Sequence, residues 1–359
     1  MKYLILTAST GEGHNQAAKN LKNEFDKNTD DIAIIHDIFN NSKLPFVEKG
    51  YDFLIANMPN TYGVMYKLSN NKFLNNVLLK NIFLAIELNL KKIIKREKPD
   101  IIISTHPFAV PIVTRYKKMF NSDIPFIQIV TDFKAHYTYV DKRVNAYITA
   151  SEFTKESLIK KGVSEDKIFP FGIPVKDEFK TINHSIDRKN NILIMGGSMG
   201  FKNMEKSILE LTKSDLDIHI TIVCGKNINL RKKLTQILRD EIIKGKIKIL
   251  GFVNNISEIM DNSKIIITKP GGLTSSEAIN KNLPMIIPFS IPGQEQENTA
   301  FLVESNVALE IKDISDLPNH LKFLLTNDEH YNMMVENMRK ISSLHSIKAI
   351  IEVSKNYIK

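Results

Sequence analysis

With 359 residues, 43% of them hydrophobic and 25% charged, the chain has room for two ordinary domains and the composition of a soluble globular protein. One cysteine excludes a disulfide framework and a cysteine-based metal centre and points to a reducing compartment; no run approaches the roughly 18 apolar residues of a membrane span. The formal net charge is +9, and the stretch from Lys67 to Lys98 holds eight Lys/Arg against Glu87 and Glu97, a basic face suited to anionic lipid, nucleic acid or water.

The apolar N-terminus lacks a basic n-region and a long h-region, so it reads as a first strand over 3–7 rather than a signal peptide. A glycine turn through Gly11, Gly13 and His14 opens a helix over 15–28, followed by a strand over 32–36 that ends at Asp37. Residues 40–71 are irregular and aromatic, and 73–96 is one or two helices stopped by Pro99. Strands over 101–104, 126–130 and 146–149 alternate with helices over 109–120 and 152–161. A polar linker over 176–190 separates this half from the next.

The pattern then restarts. A strand over 192–195 meets the turn Gly196-Gly-Ser-Met-Gly200 and a helix over 203–211. Strands over 218–223 and 247–250 follow, with a helix over 230–244, and Gly251-Phe252-Val253 leads to a helix over 256–262. A strand over 265–267 breaks at Lys269-Pro-Gly-Gly272; a helix begins with Thr274 or Ser275 as N-cap and Glu277 in its first turn. A strand over 285–287 ends in a Pro/Gly loop delivering Gln294, Glu295 and Asn298, and helices over 313–325, 329–344 and onward close the chain. Strands alternating with helices in two matched halves imply an α/β protein of two Rossmann-like domains, whose parallel sheets face an interdomain cleft. The boundaries are 1–175, a linker 176–190, 191–340, and a C-terminal helix in 341–359 packing back on the first domain.

Strand, glycine turn and helix N-terminus at Gly271, Gly272, Leu273 and Thr274 make an anion site, because free backbone N–H groups and the helix dipole converge there. Amide and carboxylate side chains at the next strand end suit a hydroxyl-rich ligand, so phosphate beside polyol points to a nucleotide sugar. Gly196–Gly200 is no P-loop, since Gly-Lys-Ser/Thr is absent, and the first turn lacks the third glycine of a dinucleotide fingerprint. His14, at a helix start, has a pKa range suited to taking a proton from an attacking hydroxyl. Asp132 and His136 follow a first-half strand and can orient or activate an acceptor; a turn aspartate and a surface histidine are the bland readings. No metal-ligand spacing stands out, so catalysis without metal or other cofactor is the simpler expectation. Tyr62, Tyr66, Lys72, Phe73, Val77 and Lys80 form a basic-aromatic stretch fit for a membrane surface. Its cations interleave with aliphatics rather than stacking aromatics, which disfavours nucleic acid.

Taken in order, Thr10-Gly-Glu-Gly-His14, Val130-Thr-Asp-Phe…His136, Gly172-Ile-Pro174, Gly196-Gly-Ser-Met-Gly200, Lys269-Pro-Gly-Gly272…Glu277 and Gly293-Gln-Glu…Asn298 span nearly the whole chain. This set resembles the monogalactosyldiacylglycerol synthase and processive diacylglycerol glucosyltransferase family, with peptidoglycan GlcNAc transferase a more distant relative. The resemblance implies a GT-B fold and inverting, metal-independent transfer of glucose or galactose from a UDP-hexose to diacylglycerol, at the cytoplasmic face of an anionic membrane. It implies that Glu277 holds the ribose and that backbone at Phe252 and Val253 reads uracil. Gly272, Leu273, Thr274 and Ser198 would cradle the pyrophosphate, with Gly13 and Gly271 also at the donor. Gln294, Glu295 and Asn298 would grip the hexose, and His14 would be the base, with Asp132 as alternative or support. The chain departs from the family in having no tryptophan after the Thr-Asp…His motif, where Tyr139 stands, and Thr-Gly-Glu-Gly-His in place of Gly-Gly-Gly-His. Other readings of the same residues are a polyprenyl-linked or soluble acceptor, or a nucleotide-sugar-binding regulator without catalysis.

Overall fold

The computed structural model describes residues 1–8, 12–39, 58–71, 84–182, 188, 190–196 and 201–358. Its contacts divide the chain into two units: Met1–Val175 with Ile291–Glu297 and Leu344–Lys359, and Lys176–Ser290 with Asn298–Ser343.

The first unit is built on a six-stranded parallel sheet in the order β2-β1-β3-β4-β5-β6. Its strands are β1 (Lys2–Thr7), β2 (Ile32–Asp37), β3 (Ile101–Ser104), β4 (Phe126–Ile129), β5 (Ala146–Ile148) and β6 (Ile168–Phe169). Runs such as Ile101-Ile-Ile-Ser104 are buried throughout, because helices cover both faces of a parallel sheet. Alternate residues serve the two faces. Tyr3, Ile5, Ile101 and Ile103 pack on Ala18, Leu21 and Phe25 of α1 (Glu12–Asn28) and on Ile347, Ile350 and Ile351 of the C-terminal helix. Leu4, Leu6 and Ile102 face Leu90, Ile93, Ile94, Val110 and Val113.

The second unit repeats the plan with β7 (Asn191–Met195), β8 (His219–Val223), β9 (Ile247–Leu250), β10 (Ile265–Thr268), β11 (Met285–Ile287) and β12 (Ala308–Glu310). The order is β12-β11-β10-β7-β8-β9, again parallel. Ile192, Ile194, Ile220, Ile265 and Ile267 form its core with Met204, Ile208, Leu234, Leu321 and Met334. Part of the polar linker is stitched into this unit. Buried Lys281 holds Asp261 at 2.7 Å and the Thr181 carbonyl at 2.5 Å, while Arg188 donates to the carbonyls of Asp261, Lys281 and Asn282.

In each sheet the strand order turns back at the first strand, between β1 and β3 and between β7 and β10. Loops diverge at such a point beyond the carboxyl ends of the strands and leave a crevice for ligands.

The α/β reading of two parallel sheets holds, with corrections in detail. The stretch read as irregular over 40–71 contains a helix, α2 (Pro59–Ser69). The helix read over 230–244 breaks at Leu238 into Ile228–Ile237 and Arg239–Ile243. The helix after Lys269-Pro-Gly starts earlier, at Gly272 with Gly271 as N-cap, so Glu277 sits in its second turn. Gln294 opens a further helix, Gln294–Glu304, in a stretch to which the sequence reading gives no element. The expected interfacial positions Lys72, Phe73, Val77 and Lys80, and Ser198 of the second glycine turn, lie outside the described residues.

Candidate active site

Because α1 starts at Glu12, Gly13 and His14 fall in its first turn, directly beyond β1. The His14 Nδ1 lies 2.9 Å from the Thr105 carbonyl and 2.8 Å from Thr131 Oγ1. Thr105 follows β3 and Thr131 follows β4, so the ring is held where three strand ends meet. The contact is reciprocal, since Thr105 Oγ1 donates to the His14 carbonyl at 3.0 Å. A carbonyl can only accept, so Nδ1 carries the proton and Nε2 keeps its lone pair. Burial lowers the His14 pKa below its ordinary value, opposed by the Asp132 charge and the Thr105 carbonyl, both of which favour the protonated ring. The outcome is a neutral imidazole with a charge nearby to steady it once protonated.

His106 packs edge-on against His14 with centroids 4.4 Å apart. Its Nδ1 accepts the Phe108 N–H at 3.2 Å, and burial followed by the charge of His14 holds its pKa well below the ordinary value. It is a neutral wedge behind the His14 ring.

Asp132 is buried. Its Oδ2 accepts the Tyr139 hydroxyl at 2.7 Å, and Oδ1 accepts from Gln294 Nε2. Burial, then the Asp132 charge, pushes the Tyr139 pKa well up, so this phenol stays a donor. The Tyr139 hydroxyl thereby fixes the Asp132 carboxylate.

His136 is buried rather than on the surface. Its Nδ1 accepts the Thr138 N–H at 3.1 Å, which makes Nε2 the donor to the Tyr66 carbonyl at 3.1 Å. Burial pushes its pKa down to about 4, although the Tyr66 carbonyl works the other way. Tyr66 also turns inward, its hydroxyl donating to Glu297 Oε2 at 2.9 Å. The outward side chains of α2 are instead Val64, Met65 and Leu68, with Met58 just before the helix, each about half exposed. For Tyr62 the structure describes the backbone, inside α2.

In the second unit, the first intrahelical bond after β10 runs from the Ser275 N–H to the Gly271 carbonyl at 2.9 Å. The amides of Gly272, Leu273 and Thr274 precede it and belong to the turn whose N–H groups lack helical acceptors. The hydroxyls of Ser275 and Ser276, fully buried in the same helix, have no hydrogen-bond partner among the described residues. Glu277 is 8% exposed, and burial raises its pKa to about 8, with Lys176 opposing and Glu178 reinforcing. Asn298 Nδ2 donates to the Pro270 carbonyl at 3.0 Å and braces the turn. Glu295 Oε2 accepts the Ile291 N–H at 3.0 Å. Phe252 is 65% exposed beyond β9, with Val253 half-buried beside it.

The structure thus gathers His14, Asp132 and Gln294 in one unit and Gly271, Gly272, Leu273, Thr274, Glu277 and Asn298 in the other. Sequence reasoning did not single out Thr105, Thr131 and Ser276; it named Ser275 as an N-cap candidate and Tyr139 as a departure from the family pattern, without these contacts. The two threonines were findable, since each ends an apolar strand at the edge where ligands bind.

Each half also matches a family model: monogalactosyldiacylglycerol (MGDG) synthase over residues 14–175 and the glycosyltransferase family 28 C-terminal domain over residues 191–353. The processive diacylglycerol beta-glucosyltransferase of Bacillus pumilus (strain SAFR-032) is 30% identical over 371 residues, 98% of this chain and 94% of that protein. Among solved structures, the UDP co-structure of MnaA from S. aureus aligns with a TM-score of 0.62 at 15% identity, covering 99% of this chain and 96% of that one. MurG from Acinetobacter baumannii aligns at 0.60 and 14% identity, covering 99% of each. At such identities the likeness speaks for the fold, the two-sheet GT-B architecture. The chain belongs to the family of monogalactosyldiacylglycerol synthases and processive diacylglycerol glucosyltransferases.

Proposed function

We propose that the protein transfers a hexose, glucose or galactose, from a UDP-sugar to diacylglycerol, with inversion to a β-glycoside and without a metal ion, while resting on the cytoplasmic face of the membrane. The observation that carries this reading is His14: its Nδ1–H is tied to the Thr105 carbonyl and its Nε2 keeps a lone pair, with Asp132 acting on the ring. The Bacillus pumilus relative is named for glucosyl transfer to diacylglycerol, and the MnaA structure is a UDP complex.

In this reading Nε2 of His14 removes the proton of the acceptor hydroxyl as its oxygen attacks C1 of the sugar. The C1–O bond to UDP breaks on the opposite face, and the proton passes from His14 to solvent. Asp132 supports the imidazolium. Charge developing on the departing pyrophosphate meets the amides of Gly272, Leu273 and Thr274, preorganised donors of the kind that dominate such catalysis. Glu277 accepts from the ribose hydroxyls, Phe252 and Val253 flank uracil, and Gln294, Glu295 and Asn298 contact the hexose. Among the described residues no helix is long and apolar enough to cross a membrane. The exposed side chains of Val64, Met65 and Leu68, in a basic stretch of sequence, support contact from the side.

The test is to incubate the purified protein with diacylglycerol in anionic vesicles and either UDP-glucose or UDP-galactose, with and without EDTA. The expected product is a β-hexosyl diacylglycerol, read by mass and by the anomeric proton coupling, in both EDTA arms. No glycolipid from either donor refutes the reading; an α-anomer refutes inversion, and loss of product with EDTA refutes metal independence.

A further inference from the structure

The inner edge of α2 is fastened to the short stretch that carries Gln294. A Cβ on Gly63 would come within 2.6 Å of the Pro292 Cβ, so helix and loop touch where only glycine fits. One turn on, the Tyr66 ring lies against Gly293: a Cβ there would stand 3.0 Å from the ring Cγ and 3.1 Å from Cδ1. Gly293 has φ +99°, a conformation that L side chains rarely adopt, so two independent constraints ask for glycine. The Tyr66 hydroxyl then reaches past Gln294 to Glu297, whose Oε1 also pairs with Lys134 at 3.3 Å. The far end of α2 is fixed as well. His136 Nε2 holds the Tyr66 carbonyl, and Asn70 Oδ1 accepts the Tyr137 N–H at 3.0 Å. Between these clamps Gln294 extends its amide to Asp132.

We propose that Tyr66 is a positioning residue for sugar recognition: packed on Gly293 and bonded to Glu297, it sets the helix start from which Gln294 reaches Asp132 and the hexose. This rests on the reading of Gln294 as a hexose contact. The ring fixes the backbone at Gly293, and the hydroxyl fixes the first turn, so the Gln294 amide has little freedom to serve a sugar of different hydroxyl geometry. Recognition by placed hydrogen bonds discriminates strongly only when the partners cannot shift to satisfy the wrong substrate.

The experiment compares kcat/KM for UDP-glucose and UDP-galactose in wild type, Tyr66→Phe, Tyr66→Ala, Gln294→Ala and the Tyr66→Ala/Gln294→Ala double variant, with UDP affinity measured in parallel. Tyr66→Ala and Gln294→Ala should each lower the preference for the better donor about tenfold. The double variant should be no less selective than Gln294→Ala alone, since both act through one contact. Tyr66→Phe keeps the ring on Gly293 and should restore most of the preference, and UDP affinity should stay at the wild-type value throughout. Gly293→Ala, which strains the same contact from the other side, should shift preference in the same direction. Additive losses in the double variant, or an unchanged preference in folded Tyr66→Ala, would overturn the proposal. Wild type failing to glycosylate diacylglycerol would instead sink the functional reading.

Discussion

Replacing His14 by alanine is the sharpest test of the site. A positioned general base contributes about 10²–10⁴ in rate, equivalent to about 3–5 kcal/mol of barrier. The upper part of that range is expected here, because the Nδ1 contacts of 2.9 Å to Thr105 and 2.8 Å to Thr131 fix the aim of Nε2 before the acceptor arrives. Burial lowers the His14 pKa, which favours the neutral base form at neutral pH, and Asp132 offsets the weaker basicity by favouring the protonated product. The sign follows: wild-type kcat should be flat near neutrality and fall only at pH values below the ordinary histidine range, as protonation consumes the lone pair. His14→Ala should lose about three to four decades of turnover and that acid limb with it. UDP affinity should change little, since Phe252, Val253, Gly272, Leu273, Thr274 and Glu277, assigned to uracil, pyrophosphate and ribose, stand on another sheet. Truncation removes a hydrogen bond worth about 1 kcal/mol, so the fold should survive. Radiolabelled transfer to diacylglycerol from pH 5 to 9, alongside calorimetric UDP binding, measures all of this. Turnover within a few-fold of wild type, or an acid limb that persists in the variant, would refute the assignment.

Glu277, held near pH 8 by burial, is largely protonated in the free protein at neutral pH, whereas ribose hydroxyls donating to it favour the carboxylate. UDP binding should therefore release a proton and tighten as pH rises from 6.5 to about 8; calorimetry in buffers of unlike ionisation enthalpy reads both, and proton uptake or a flat affinity contradicts the role. His136 has its pKa depressed to about 4, so the unfolded chain takes up a proton first as pH falls below the ordinary histidine value. Stability present at neutral pH should decline by about 3 kcal/mol towards pH 4 on this account, and His136→Gln should flatten that slope in urea unfolding. Gly172 has φ +84°, and a Cβ would meet the His345 ring at 2.5 Å, breaking the bond from His345 Nε2 to the Ala150 carbonyl. Gly172→Ala should cost about 2–4 kcal/mol and lower the first thermal transition by roughly 6–12 °C.

Much of the fold was legible because parallel strands buried on both faces write themselves as short apolar runs. Ile101-Ile-Ile-Ser104 and Ile265-Ile-Ile-Thr268 announce their strands and, through the residue that follows, the edge where ligands bind. The same logic failed where an element is not fixed by its own apolar face. Ala308–Glu310 is three residues at a sheet edge, too short for any periodicity. Gln294–Glu304 begins with six polar residues after Pro-Gly and so shows no apolar helical face at its start. In α2 the contacts that specify its seat, from Gly63 to Pro292 and Tyr66 to Gly293, join segments remote in sequence.

The site divides along the same line. A histidine at the start of a helix after a strand can be noticed as a candidate base, but its partner is the Thr105 carbonyl, and a backbone oxygen has no letter in the sequence. Asn298 illustrates the converse. Amide residues at a strand end suggest a sugar site, yet this side chain is 1% exposed and donates to the Pro270 carbonyl. Both tasks need the same donor at the same edge, so residue type alone cannot separate holding the turn from holding the ligand. Pro270 precedes the N-cap Gly271, and its carbonyl is fixed by that bond, so Asn298 helps to set the backbone from which the amides of Gly272, Leu273 and Thr274 point. If those amides hold the pyrophosphate as proposed, an Asn298 variant should weaken UDP binding through the turn as well as any contact with the hexose.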